Sequence, residues 1–363
     1  MSYATQKLRD ISVIKTGKLD SNAAVENGTY PFFTCDPQTL RINKWAYDTE
    51  AVLLAGNNAS GNYTAKYYRG KFNAYQRTYI IEAADSERLS VRFLCYAINQ
   101  QLRLLKAMSS GSTTKFLTIR MLHNLDIPCP EIELQDRIVN VLGTIDDLIE
   151  NNQKQIKLLE ETARRLYKEW FVNFRFPGYE DTPIVDGVPE GWADGALGDI
   201  AVFKRGKTIT KAQVSDGNIP VVAGGLEPAY YHNKANTTAP LITVSASGAN
   251  AGFTRLYNID VFASDCSYID SNSTPFLLFV YCFLKTNAMK LNSLQKGSAQ
   301  PHVYAKDLNA MVLSVPSEGV LTAFCGIVSP YFERIRLLQR ENEIAAQARD
   351  RLLPKLMSGE IEV

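Results

Sequence analysis

The 363-residue chain lacks most of what marks a membrane, secreted or metal-holding protein. Its longest apolar run, Pro275 to Leu284, is about half of what spans a bilayer and predicts a buried segment. The opening MSYATQKLRD has no apolar stretch of the signal-peptide kind, so the chain is expected in the cytoplasm. Six cysteines (Cys35, Cys95, Cys129, Cys266, Cys282, Cys325) form no C-x-x-C pair, and His123, His232 and His302 stand far apart. A zinc site needs clustered ligands, so no metal is expected, and the cysteines read as small buried hydrophobes. The glycosylation matches at Asn58 and Asn62 mean nothing without a secretory route. Phosphate-cradling motifs are missing too: there is no G-x-G-x-x-G and no G-x-x-x-x-G-K-[ST]. Ser60, Ser110 and Ser247 lie near glycines but outside any G-x-S-x-G elbow, as ordinary loop serines do.

Charge of one sign is also scarce, at a net of +1 overall, until it is divided along the chain. Residues 1–130 carry 16 Lys and Arg against 10 Asp and Glu, a net of +6. Residues 131–180 carry 7 against 10, and 192–316 carry 10 against 8. Basic blocks alternating with acidic segments fit a phosphate-binding module on a neutral scaffold.

What the chain does have is an internal repeat. KLRDISVIKTGK at 7–18 matches ALGDIAVFKRGK at 196–207, 189 residues on. The same offset aligns Asn27–Pro31 with Asp216–Pro220 and Arg77–Ile80 with Cys266–Ile269. Later the offset is 186, where Pro130 meets Pro316 and Arg165-Leu166 meets Arg351-Leu352. A single three-residue indel after duplication would leave this drift. In each half the first ~130 residues show short strand-like runs (Ala51–Ala55, Tyr79–Ala83, Leu241–Val244) between Gly, Asn and Pro clusters, with helical stretches at 91–106 and 275–291. Each block is expected to be a mixed α+β domain.

After Pro130 the apolar period becomes helical. Ile138, Leu142, Ile145, Ile149, Asn152, Ile156, Leu159, Ala163, Leu166 and Trp170 alternate spacings of four and three. After Pro316 the same pattern runs through Phe324, Val328, Tyr331, Ile335, Leu338, Asn342, Ala345, Arg349 and Leu352. Such heptads predict coiled-coil helices, and one Asn in each seam is a register-setting device. The alternative is an amphipathic helix lying on its own domain. If the helices run antiparallel with Asn152 facing Asn342, partner numbers sum to 494. Leu142 then faces Leu352, Ala163 faces Tyr331 and Trp170 faces Phe324. Trp170, Phe171, Phe174 and Phe176 form an aromatic cluster expected to pack as a hinge against the following block, with partner docking as the functional alternative.

Two basic α+β blocks alternating with two heptad helices resemble the specificity subunit of type I restriction–modification systems. LEETARRLYKEWFVNFRFPGYE at 159–180 is similar to the family's central conserved segment, and RDRLLPKLMSGE at 349–360 to its C-terminal one. Each block opens with L-x-D-I-(x)3-K-x-G-K, at Leu8–Lys18 and Leu197–Lys207. Each closes with a Gly-Ser stretch running to a proline, at 111–130 and 297–316. The resemblance implies two target recognition domains, at 1–130 and 181–316. A central helix at 131–180 and a C-terminal helix at 317–363 would separate them as an antiparallel coiled coil with pseudo-twofold symmetry. It implies a non-catalytic reader of double-stranded DNA, one half of a bipartite target per domain, with no membrane role. Two methyltransferase subunits, which bind S-adenosylmethionine, would dock on the helices, and a restriction–translocase subunit can join them. The chain itself would hold no cofactor, and it has no Asp/Asn-Pro-Pro-aromatic motif of an adenine methyltransferase. A helix from Ile138 to Trp170 would be roughly 50 Å long, a ruler between half-sites.

Base edges and phosphates are met by Arg, Asn, Gln, Lys and small hydroxyls. In the first block these are the loop Asn57–Arg69 (Asn57, Asn58, Asn62, Lys66, Arg69) with Lys18, Arg77 and Lys115. In the second they are Lys204, Arg205, Lys207, Ser247, Asn250, Arg255, Lys296 and Gln300. Tyr63, Tyr67 and Tyr68 read as half-buried sheet residues. The competing reading is a coiled-coil protein–protein adaptor without DNA binding.

Overall fold

The structure, a computed structural model, describes residues 3–59, 61–109, 114–297 and 301–363. It divides into two compact units, Met1–Asn151 with Glu341–Val363 and Asn152–Arg340.

The first unit begins β1 (Thr5–Lys7), α1 (Leu8–Ile11), β2 (Ser12–Thr16), β3 (Tyr30–Phe33), β4 (Leu40–Ile42), β5 (Tyr47–Ala55) and β6 (Asn57–Asn58). β7 (Ala65–Ala74), β8 (Thr78–Ala83), α2 (Val91–Gln100), α3 (Leu102–Met108), β9 (Lys115–Phe116), α4 (Ile119–His123) and β10 (Asp126–Pro128) follow. One sheet runs in the order β2-β8-β5-β7-β3-β4. It curls until the ends of β2 and β7 meet, where the Lys18 amide donates to the Ala74 carbonyl at 3.2 Å and Leu19 bridges Tyr75. The curl buries both faces of β5 over Ala51–Ala55, so that stretch reads as an unbroken apolar run. Ala51 and Leu53 pack with Phe33, Phe72 and Ile80, while Val52 and Leu54 pack with Ile81, Phe93 and Leu94. Ser90 caps α2 by accepting from the Phe93 amide at 3.4 Å.

α5 (Ile132–Phe171) is one 40-residue helix. Gln135, fully buried, fixes its start. The Gln135 amide donates to the Arg88 and Pro130 carbonyls at 2.9 and 2.8 Å, and its oxygen accepts from the Ser90 amide at 3.0 Å.

The second unit continues with a hairpin of β11 (Ile184–Val185) and β12 (Val188–Pro189), then β13 (Ala193–Ala196), β14 (Lys204–Arg205), β15 (Ile219–Val222), β16 (Tyr230–His232) and β17 (Leu241–Ser245). β18 (Thr254–Tyr257), β19 (Phe262–Ala263), β20 (Cys266–Asp270), α6 (Leu277–Thr286), α7 (Ala288–Ser293), α8 (Ala305–Asn309) and β21 (Val312–Val315) complete it, followed by α9 (Glu318–Ser358).

The repeat holds for most strands, with β7 divided into β18 and β19. The parallel pair Phe33↔Ala74 recurs as Val222↔Ala263, and the β1–β10 ladder recurs as β13–β21. The expected single indel is corrected. Leu54↔Ala65 corresponds to Val244↔Thr254, and Lys15↔Ile80 to Lys204↔Tyr268, so the offset is 190 at β17, 189 at β18 and 188 at β20. By α8 and α9 it is 186. The changes of one or two residues fall between the strands, because a one-residue slip within a strand would turn its buried face outward. Arg77 therefore corresponds to Asp265, not to Cys266.

Within each unit the long helices run antiparallel. In the first, Asp146 of α5 meets Arg349 of α9 at 2.9 Å, and Leu142 and Leu352 share a core. In the second, the rings of Trp170 and Phe324 lie 5.8 Å apart, and Ala163 and Tyr331 share a core. These fit partner numbers near 494. Along the seam Leu142, Asn152, Val328, Ile335 and Leu338 are buried, and Ile145, Ile149, Ile156, Leu159, Leu166, Tyr331, Asn342 and Leu352 are half-buried. Leu158 and Ile344, off the seam, are 62% and 54% exposed. Phe171, Phe174 and Phe176 pack on Trp192 at the start of the following block.

Candidate nucleic-acid interface

At one edge of the first unit, four turns converge. The Gly17 amide donates to the Thr78 carbonyl at 3.1 Å, and a Cβ on Gly17 would lie 2.2 Å from the Ala74 oxygen, so only glycine fits. The Gly56 amide donates to the Arg77 carbonyl and the Leu117 amide to the Gly56 carbonyl, both at 2.8 Å. These bonds bring Lys18, Asn57, Asn58, Arg77 and Lys115 to one edge, with Lys18 and Arg77 exposed. Asn57 and Asn58 pair in β6 with Phe116 and Lys115. Asn62 donates its amide to the Asn58 side chain at 3.1 Å and accepts from Lys106 at 2.6 Å.

The expected loop Asn57–Arg69 is corrected. From Ala65 onward it is β7, held by eight consecutive partners on β5. Lys66 is half-buried on that strand and donates to Thr39 at 3.1 Å, and burial lowers its pKa. Arg69 is exposed opposite Glu50, further along β7 from the edge. Tyr63 is buried, Tyr67 donates to Glu50 at 2.7 Å, and Tyr68 packs on Phe33 and Phe72.

The second unit builds the same edge. A Cβ on Gly206 would lie 2.3 Å from the Ser264 oxygen, and the Lys207 amide donates to Ala263 at 2.9 Å, as Lys18 does to Ala74. Lys204 and Arg205 are exposed on β14. Arg205 meets Asp265 at 2.5 Å, and the Ser247 hydroxyl donates to the other oxygen of Asp265. Asn250 donates to the Gly224 carbonyl at 3.4 Å. Arg255 donates to the Leu226 carbonyl at 3.0 Å and lies over the Tyr257 ring. Lys296 pairs with Asp307 at 2.7 Å. Gln300, Ser60 and Ser110 lie outside the described residues.

Two contributors escaped the sequence reading. Lys106 sits on α3, away from the polar loops. Asp265 carries the opposite charge to that of a phosphate contact, and only the corrected strand register makes it the equivalent of Arg77.

Among the described residues no cluster of three or more His, Cys, Asp or Glu could hold a metal ion. Cys95, Cys266 and Cys282 are buried, and Cys35, Cys129 and Cys325 half-buried. Burial pushes the Cys95 and Cys266 thiols up to about 12, leaving them protonated and unreactive at neutral pH. Among the described residues no helix is long and apolar enough to cross a membrane.

The family model described as type I restriction modification DNA specificity domain matches residues 2–161 and 189–344. The chain is 33% identical over 178 residues to the type I restriction enzyme EcoDI specificity subunit of Escherichia coli, covering 49% of this chain and 38% of that protein. It is 30% identical over 286 residues to the MjaIX specificity subunit of Methanocaldococcus jannaschii, covering 71% of this chain and 66% of that one. The chain thus spans less than two thirds of the length of either relative. In fold it resembles the crystal structure of a type I restriction-modification S subunit from M. genitalium, with a TM-score of 0.60 at 19% identity over 98% of this chain and 96% of that one. With one copy of the family's domain on each repeat, the chain belongs to the type I restriction–modification DNA specificity family.

Proposed function

We propose that this chain is the non-catalytic specificity subunit of a type I restriction–modification complex, and that each repeat reads one half of a bipartite site in double-stranded DNA. The observation that carries this reading is the duplicated edge, in which Lys18 and Lys207 stand at the same place on the same backbone bond. An exposed lysine held beside a run of polar loop residues suits phosphate, and two such edges suit two half-sites. The long helices act as the spacer. At 40 and 41 residues each spans about 60 Å, enough to separate half-sites by one or more turns of duplex. Two methyltransferase subunits dock on these helices and bring S-adenosylmethionine, and a restriction–translocase subunit can join them. A net charge of +1 is modest for a protein that grips DNA alone, so tight binding draws on the partners' surfaces.

The test is a four-residue insertion near Asn152 matched by one near Asn342, followed by sequencing of methylated sites in cells that also carry the methyltransferase. Both half-sites are expected to persist with a changed gap. An unchanged gap defeats the spacer role. A complex with no salt-dependent DNA binding defeats the whole reading and favours the adaptor.

A further inference from the structure

Matched by strand register, the two edges keep the groups that hold the backbone and differ in the groups beside them. Gly17 and Lys18 recur as Gly206 and Lys207. Thr16, opposite Tyr79 on β8, becomes Arg205, opposite Ser267 on β20. Arg77, whose carbonyl takes the Gly56 amide, becomes Asp265, whose carbonyl takes the Ala246 amide. Asn57, the next residue along, becomes Ser247. A duplex offers the same phosphates whatever its sequence but different base edges, so contacts that recur suit phosphate and contacts that diverge suit bases.

Resting on the function proposed above, we infer that Arg205 reads a guanine in the second half-site and that Asp265 and Ser247 are positioning residues for it. A guanidinium meets guanine O6 and N7 with two parallel bonds, but a free arginine must first surrender its rotamer freedom. Here that freedom is already restricted. One oxygen of Asp265 takes Nη2 of Arg205 at 2.5 Å, and the other takes the Ser247 hydroxyl, so the carboxylate is held from both sides. Among the described residues the remaining N–H groups of Arg205 have no partner, which leaves donors for an acceptor pair on DNA. The Arg205 and Asp265 side chains are 45% and 32% exposed, and a pair this open contributes little to stability. Its place at the reading edge therefore calls for a different account from folding. On the first edge, among the described residues, no carboxylate bonds Arg77.

The experiment uses the full chain assembled with its methyltransferase, as wild type, R205K and D265N. Methylated sites are sequenced, and binding is competed with duplexes altered at each position of both half-sites. Lysine keeps the charge and loses the fork. R205K is thus expected to lose about tenfold to hundredfold discrimination at one G·C pair of the second half-site, with the first half-site unchanged. D265N is expected to relax the same pair by less. The inference is overturned if R205K weakens all duplexes alike, relaxes an A·T pair, or relaxes nothing. In those outcomes a surviving two-part site leaves the proposed function standing, whereas loss of any two-part site in the wild type defeats that reading first.

Discussion

In the first unit an ion pair joins the two long helices beside a shared apolar core, and in the second, rings fill their contact. Arg349 of α9 bonds Asp146 of α5, which also accepts from the Tyr96 hydroxyl at 2.5 Å, and Arg92 bonds Asp147 at 2.6 Å. In the second unit Tyr167, Trp170 and Phe171 of α5 surround Phe324 of α9, and Phe279 of the recognition domain closes the cluster. One backbone register is therefore compatible with two kinds of cement. Ring packing buries large areas and gains from edge-to-face geometry. A half-buried ion pair gains little net energy but fixes direction, because its partners must align. The helix contact of the first unit thus carries a part that salt can loosen beside its apolar core, and that of the second is cohesion that salt leaves alone.

The largest effect should come from removing the centre of the ring cluster. Phe324 is fully buried, so Phe324→Ala is expected to cost about 3–5 kcal/mol. Denaturant titration gives the total, and amide hydrogen exchange shows where it falls. Faster exchange confined to 152–340 sustains the contrast, while equal acceleration in both units would break it. Second in size are the glycines the units share. Gly17→Ala and Gly206→Ala drive a Cβ into backbone oxygens, and each should cost about 1–3 kcal/mol, by similar amounts. Unequal costs would mean the edges are less alike than their registers.

That contrast between shared frame and differing fill also explains what could be read from the sequence. The heptads of α5 and α9, the strand runs at β5, β8 and β17, and the repeat itself follow from periodicity that burial imposes. The exact turn lengths did not, because a one-residue change in a turn leaves the apolar pattern of the next strand intact. Asp265 was hidden by that shift and by its charge. β7 was missed because Arg69 and Lys71 on its exposed side and Lys66 on the other interrupt its apolar pattern, giving a strand the composition of a loop. The Asp146–Arg349 bond was masked by the heptad itself, which assigns Arg349 to a seam position where an apolar residue is expected.

A middle-sized effect tests the charged cement. Asp146→Ala leaves Arg349 and the Tyr96 hydroxyl without their shared acceptor and should cost about 1–3 kcal/mol, more at low salt than at high. Burial first, and the hydrogen bond to Asp146 second, hold the Tyr96 hydroxyl well above its ordinary range. The variant should therefore ionise Tyr96 at lower pH, visible as a shifted phenolate absorbance titration. A salt-independent loss with no shift would show that charge adds nothing to the apolar contact between the helices of the first unit.

The smallest effect is one both units should share. Cys95 in the first unit and Cys266 in the second are each raised by burial from 9.0 to about 12. In the unfolded chain these thiols ionise near pH 9, while the native ones stay neutral. Their contribution is fully present below pH 9 and is lost as pH rises toward 12, because there the unfolded chain binds fewer protons. At pH 10 each thiol should remove about 1 kcal/mol, seen as a parallel rise in exchange in both units. Cys95→Val should flatten that rise in the first unit and leave the second unchanged. If both flatten, the two units do not unfold independently, and the division between charged and aromatic cement would not correspond to separate stabilities.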